Sequence, residues 1–218
     1  MKKKVGVVLS GCGVYDGSEI HEAVFTLLAI DRHGAEAVCM APDMELAEVD
    51  HLSGTPTGKK RSVLAESARI ARGKIRNISE VTAAELDAVI FPGGYGAAKN
   101  LCNFAEKGAD AAIHPDVAKL LKDMAAAGKP ICAICIAPAL IAATLGKEYA
   151  PRLTIGSDAG TAAAISATGS EHIACPVTEF VVDKKHKIVS TPAYMLAQRI
   201  SEAAEGIEKA VNATLELI

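Results

Sequence analysis

The chain has 218 residues, half of them hydrophobic, with 23 basic and 26 acidic side chains and a formal net charge of -3. That length suits one α/β domain with a large core. Basic residues are scattered and outnumbered by acids, and four Phe, four Tyr and no Trp leave no stacking platform, which argues against a nucleic-acid-binding surface.

Lys2-Lys3-Lys4 ahead of Val5 to Leu9 imitates the start of a secretory leader, but Ser10-Gly11-Cys12-Gly13 ends the apolar run too early for one. No stretch is long enough to span a bilayer. The six cysteines (12, 39, 102, 132, 135 and 175) therefore read as reduced thiols of a cytoplasmic protein rather than as a disulfide framework.

Residues 4–9 form a β-branched run and predict a first strand. A glycine-rich loop follows over 10–19, and then a helix capped by Ser18 or Asp16, carrying Ile20, Ala23, Val24, Leu27, Leu28 and Ile30 and ending near His33-Gly34. Residues 37–40 make a second strand, stopped by Ala41-Pro42. This unit invites a dinucleotide fingerprint, with Asp43 as ribose acid. Gly11, Gly13 and Gly17, however, are spaced one residue too widely for G-x-G-x-x-G. Residues 43–82 interrupt the alternation. A turn cluster at 53–58, the basic Lys59-Lys60-Arg61 and an amphipathic helix over 62–72 closed by Gly73 read as an insertion, either a flap near the site or a solvated surface piece.

A third strand is expected at 86–91, leading into Pro92-Gly93-Gly94, whose glycines expose backbone N–H groups at the strand tip. His114-Pro115-Asp116 opens a helix over 117–127 with Gly128 as its stop. Residues 131–134 read as a buried strand, and 137–145 as an alanine-rich buried helix ending at Gly146. A short strand at 153–156, a helix at 162–167 capped by Asp158, and a hairpin of 180–183 with 188–190 come next. A last helical region, 194–217, is expected to bend near Gly206. Strands alternating with helices predict a mainly parallel sheet covered on both faces, with the ligand site beyond the strands' carboxyl ends. The loops that converge there are 10–17, 92–98 and the junction at Cys135.

Cys135 falls between the buried strand and the following helix, with Pro138 in the first helical turn. Such a junction lifts a side chain clear of the sheet and sets it over a helix N-terminus, which lowers a thiol pKa. A thiolate attacking a carbonyl needs donors for the oxyanion, and the amides of Gly93, Gly94 and Ile136 are the candidates, with Ser10, Gly11, Cys12 and Asn100 as further binding residues. Glu19 and Glu22, one turn apart in the first helix, are both candidates for the partner acid. Cys132 and Cys135 form a C-x-x-C, but Cys132 lies inside the strand rather than at a helix start, unlike a thioredoxin-type pair, and no second pair completes a zinc site.

Val5 to Gly13, Phe91-Pro92-Gly93-Gly94, Ala133-Ile134-Cys135-Ile136-Ala137-Pro138 and Thr191-Pro192-Ala193-Tyr194-Met195 together resemble the class I glutamine amidotransferase-like superfamily, and within it the PfpI-like branch, most closely its ElbB-like members, described as glyoxalases linked to isoprenoid biosynthesis. The likeness covers essentially the whole chain. It implies one domain over 1–218 with a flavodoxin-like three-layer sandwich, a cysteine nucleophile elbow, and a homodimer. It also implies that the acid lies twelve residues before the glycine closing the first helix, which from Gly34 selects Glu22. The late His-x-Glu of the glutaminases is replaced by Thr191-Pro192-Ala193-Tyr194, and the histidine that follows the cysteine in peptidase-like members is replaced by Ile136. The resemblance thus implies glyoxalase chemistry by Cys135 and Glu22, turning glyoxal into glycolate with no cofactor or metal. A deglycase-like activity or a redox-sensing binding protein is the alternative.

Overall fold

The computed structural model describes residues 2–218. In chain order the elements are β1 (Lys4–Val8), α1 (Ile20–Arg32), β2 (Glu36–Ala41), β3 (Glu45–Asp50), β4 (Thr55–Ser62), α2 (Val63–Ile70), β5 (Arg76–Asn77), β6 (Ala88–Phe91), α3 (Tyr95–Lys99), α4 (Phe104–Lys107), α5 (Pro115–Ala126), β7 (Ile131–Ile134), α6 (Ala137–Tyr149), β8 (Arg152–Leu153), α7 (Ala159–Ala167), β9 (Glu171–His172), β10 (Val181–Asp183), β11 (Ile188–Thr191) and α8 (Ile200–Glu216). Seven strands form one sheet in the order β10-β11-β7-β6-β1-β2-β5, parallel throughout except for β10, which pairs antiparallel with β11.

The two central strands show why the sheet is a middle layer. Every residue of β6 and β7 is buried, and alternate side chains serve opposite cores. Val89, Phe91, Ile131 and Ala133 point to the core closed by α3, α5 and α6. Ala88, Ile90, Cys132 and Ile134 point to the one closed by α1, α2 and α8. Fully burying a residue such as Ile90 or Ile134 contributes roughly 1.5–3 kcal/mol each, so the strand tips that carry the loops are firmly fixed. The chain winds outward from β1 through β2 and then returns on the other side of β1 as β6. This reversal opens a crevice above the carboxyl ends of β1 and β6, where open α/β sheets bind ligands. The architecture is the flavodoxin-like α/β sandwich expected.

Three local expectations are corrected. Helix α1 is capped by Glu19, whose Oε2 accepts the N–H of Glu22 at 2.7 Å, rather than by Ser18 or Asp16. Its apolar residues do not all face inward: Ala23, Ala29 and Ile30 are buried, while Ile20, Val24 and Leu28 are exposed. Helix α8 runs unbroken through Gly206, because that glycine lies against the Val177 carbonyl, 2.6 Å from where a Cβ would stand. The glycine serves a close approach, not a bend.

The 43–82 region contains an antiparallel hairpin, β3–β4, that the sequence did not announce. Its strands are mostly exposed and interrupted by Pro56 and Gly58, so no alternating pattern marks them. It is tied to the loop after β1 by Arg61, which pairs with Asp16, with Glu48 at 3.1 Å and with Glu66 at 2.7 Å. Asp16 also accepts the Val49 N–H at 2.9 Å, and the ring of His51 packs on Tyr15 at 5.0 Å between centroids. The segment is thus a cover over the glycine-rich loop.

Candidate active site

Strand β7 ends at Ile134, and Cys135 takes φ 62°, a left-handed conformation that a non-glycine residue adopts only under constraint. The constraint is visible. The Cys135 N–H donates to the Thr191 carbonyl at 2.9 Å, and Ile136 is already the N-cap of α6, with Pro138 in its first turn. The side chain is therefore turned back over the sheet end, where the nearby amides of Gly94 and Ile136 favour its charged form. Only 7% of the residue is exposed, and that part faces a cavity.

Glu22 comes up from the first turn of α1 and is fully buried. Its Oε2 accepts the Gly93 N–H at 2.9 Å and its Oε1 the Tyr194 N–H at 3.3 Å. A methyl group added to Gly93 would stand 2.5 Å from Cys135 Cβ and 2.6 Å from Glu22 Oε2, so the two side chains meet across a gap that only glycine leaves open. Burial, helped by the neighbouring Glu19 charge, pushes the Glu22 carboxyl up to about 8, against the pull of its hydrogen bonds to Cys135, Tyr194 and Gly93. At neutral pH Glu22 accordingly holds a proton.

The thiol behaves differently from the expectation. Burial, then the Glu22 charge and hydrogen bond, push Cys135 up, while the amides of Gly94 and Ile136 pull it down. The helix N-terminus alone does not ionise a sulfur so thoroughly removed from water. Cys135 and Glu22 instead form a coupled pair in which both groups resist losing the last proton.

The binding set divides. The Gly94 and Ile136 amides act on the sulfur by lowering its pKa, whereas the Gly93 amide is occupied by Glu22 and is not an oxyanion donor. Ser10, Gly11, Cys12 and Asn100 do not line the cavity. They build the loop behind it: the Ser10 N–H donates to Ser18 Oγ at 2.9 Å, the Gly11 N–H to Ser67 Oγ at 2.9 Å, and Asn100 Nδ2 to the carbonyls of Ser10 and Asp16, each at 2.8 Å. Cys12 is half-buried, and burial raises its thiol pKa.

Residues the sequence did not single out complete the wall, Val14, Tyr95, Phe104 and Thr161 among them, together with Glu19, Tyr194 and Met195. The Tyr194 hydroxyl and His21 Nδ1 are hydrogen-bonded at 2.8 Å, so the histidine beside Glu22 is turned away from Cys135. Among the described residues no histidine lines the cavity, and a Cys-His-Glu triad is not assembled. No helix among them is long and apolar enough to cross a membrane.

Comparison with known proteins agrees with this geometry. The rat ES1 protein homolog, mitochondrial (Rattus norvegicus), is 46% identical over 228 residues, spanning 99% of this chain and 84% of the rat protein. The human glutamine amidotransferase-like class 1 domain-containing protein 3, mitochondrial (Homo sapiens), is 47% identical over 226 residues, spanning 98% and 83%. The crystal structure of an isoprenoid biosynthesis protein with an amidotransferase-like domain from Ehrlichia chaffeensis superposes with a TM-score of 0.94 at 36% identity, covering 99% of both chains. Drosophila melanogaster DJ-1beta, at 16% identity and a TM-score of 0.60, covering 100% of this chain and 96% of the other, shares the fold. The DJ-1/PfpI family profile matches residues 14–191, and the chain belongs to that family, within the class I glutamine amidotransferase-like superfamily.

Proposed function

We propose that the chain is a cofactor-independent glyoxalase that converts glyoxal to glycolate, with Cys135 as nucleophile and Glu22 as the acid and base. The observation that carries this reading is the buried Glu22 carboxyl, raised to about 8 and set against the elbow cysteine. A carboxylic acid that keeps its proton near neutral pH can both give and take one during a turnover.

The steps balance without an outside oxidant. The pair reacts with one proton between its members. Cys135 Sγ bonds to one aldehyde carbon, and the developing oxyanion takes up the amides of Gly94 and Ile136 in place of the sulfur. Glu22 delivers its proton to that oxygen, giving a hemithioacetal. The resulting Glu22 carboxylate removes the C–H proton from the carbon bonded to sulfur and returns a proton to the second carbon, while the hydroxyl proton on the first carbon's oxygen passes to the second carbon's oxygen. One carbon is thereby oxidised to a thioester and the other reduced to an alcohol. Water cleaves the thioester, releasing glycolate and restoring the thiol.

Purified protein incubated with glyoxal tests the reading directly. Glycolate should form, and both Cys135→Ser and Glu22→Gln should abolish it, while Glu22→Gln retains a thiol that can be alkylated. Equal loss of glycolate and of thiol reactivity in the two variants would instead favour a redox-sensing protein. Release of ammonia from glutamine would overturn both readings.

We also propose that the protein works as a homodimer. Ile20, Val24 and Leu28 recur at helical spacing along the outer face of α1 and are 43%, 46% and 42% exposed, an unpartnered apolar stripe on the helix that carries Glu22.

A further inference from the structure

The cavity before Cys135 is larger and more apolar than a two-carbon dicarbonyl needs. Its volume of about 420 Å³ falls among sites that hold whole organic ligands, ~300–1,000 Å³. Val14, Ala98, Phe104, Ile136 and Met195 supply an apolar wall, and the polar groups are those of Tyr95, Tyr194 and Thr161. The wall contains one carboxyl group, Glu19, which is 12% exposed. Among the described residues no lysine, arginine or histidine lines it.

This distribution decides between substrate classes. A dicarbonyl bearing a carboxylate or phosphate would leave water for an apolar chamber beside Glu19 without a cation to receive it, and an unpaired charge resists that transfer strongly. A neutral hydrocarbon body would gain by burying its surface against Phe104 and Met195. A bare glyoxal would leave most of the chamber unfilled and forgo that gain.

Resting on the glyoxalase reading for its chemistry, we propose that the site accepts 2-oxoaldehydes that carry an uncharged aromatic or branched aliphatic substituent. For R–CO–CHO the sulfur bonds to the aldehyde carbon, that carbon is oxidised to the thioester, and the ketone carbon is reduced to the alcohol. Water then releases R–CHOH–COOH. The substituent R occupies the chamber unchanged.

The test compares kcat/KM for glyoxal, phenylglyoxal and 4-carboxyphenylglyoxal, each divided by its rate with a free thiol in solution. Phenylglyoxal should exceed glyoxal by roughly tenfold or more, and the added carboxylate should cost a factor of similar size. Ala105→Lys, at an exposed position on the cavity mouth, should shrink the carboxylate penalty severalfold.

A second readout needs no turnover. Alkylation of Cys135, scaled to a free thiol, should run faster with phenacyl bromide than with iodoacetamide, and slowest with iodoacetate. Glyoxal turnover with no preference among the three dicarbonyls would overturn the inferred class and leave the glyoxalase reading intact. Absence of all turnover with the alkylation order preserved would overturn the glyoxalase reading and sustain the ligand class. Loss of both orders would overturn the class outright.

Discussion

Glu22 and Cys135 face one another across Gly93, whose N–H is given to the carboxylate and whose missing side chain leaves them room to touch. The two side chains come from the first turn of α1 and the end of β7, and neither is placed by its own element alone. Their titrations are joined but not symmetrically: the Glu22 charge and hydrogen bond push the Cys135 thiol up, while the hydrogen bond from Cys135 draws the Glu22 carboxyl down against its burial.

The pH dependence of Cys135 reactivity follows from that coupling. Below about 8 the pair holds both protons; above it, one proton is shared and the sulfur gains nucleophilic character. The rate of alkylation by iodoacetamide, and kcat/KM for glyoxal, should therefore rise with a slope near one through about pH 8. In Glu22→Gln the acid is gone, and the rise in alkylation should move to higher pH, where the buried thiol ionises alone. A rate already at its plateau by pH 6 would contradict the raised carboxyl.

Stability should carry the same signature with the opposite sense. Glu22 has its ordinary value near 4.5 in the unfolded chain and about 8 when folded. The folded state therefore binds more protons between those limits, and stability falls as pH rises through that window. The loss is complete above about 8, with an upper bound of roughly 5 kcal/mol from the size of the shift. Glu22→Gln should flatten this slope. Its urea midpoint relative to the native protein should thus be higher at pH 9 than at pH 5.

The fold and the elbow were legible because their signals are local: apolar runs of strand length, Pro-Gly-Gly after one strand, and Cys135 with Pro138 just beyond another. Choosing between Glu19 and Glu22 was not a local matter. Both are acids in one helical turn; the family resemblance selected Glu22, and the fold supplies the physical reason, since Glu19 caps its own helix while Glu22 is driven inward. The cavity wall was illegible for a related reason, since Phe104, Thr161 and Met195 are ordinary residues brought together from remote elements. The β3–β4 hairpin escaped notice because, apart from buried Leu46, it is held by polar contacts centred on Arg61 rather than by an apolar face.

Gly93→Ala should separate the pair. The added methyl meets Cys135 Cβ, Glu22 Oε2 and the Ile134 carbonyl at 2.5, 2.6 and 2.9 Å, and two of these belong to rigid backbone-bound positions. Overpacking of this kind costs about 1–3 kcal/mol, so a melting temperature lowered by several degrees is expected. Glycolate formation should fall far more than the fraction folded does. Retention of native turnover by a folded Gly93→Ala protein would show that the contact across Gly93 is dispensable.

The dimer proposal is tested on α1. Val24→Glu places a charge in the middle of the exposed stripe while leaving the buried face of the helix untouched. Light scattering should report a dimer for the native protein and a monomer for the variant, with the circular dichroism spectrum unchanged. A dimer of undiminished affinity in Val24→Glu would place the interface elsewhere.

Arg61 provides the last test, because it joins the hairpin, the helix behind it and the glycine-rich loop. Its guanidinium pairs with Asp16, Glu48 and Glu66, and Asp16 is 1% exposed at its side chain. Arg61→Met removes the cation and leaves Asp16 buried without its counter-charge, a change that costs on the order of 3 kcal/mol in comparable settings. The hairpin should loosen first, since few other side chains hold it, and its tip at Leu52 is already 99% exposed. Limited proteolysis should then cut near residues 51–54 at rates well above those of the native protein. Adding Asp16→Asn to Arg61→Met should recover part of the lost stability, because it removes the stranded charge rather than restoring the pair. If the double variant is no more stable than Arg61→Met, the penalty lies in lost packing of the arginine stem instead.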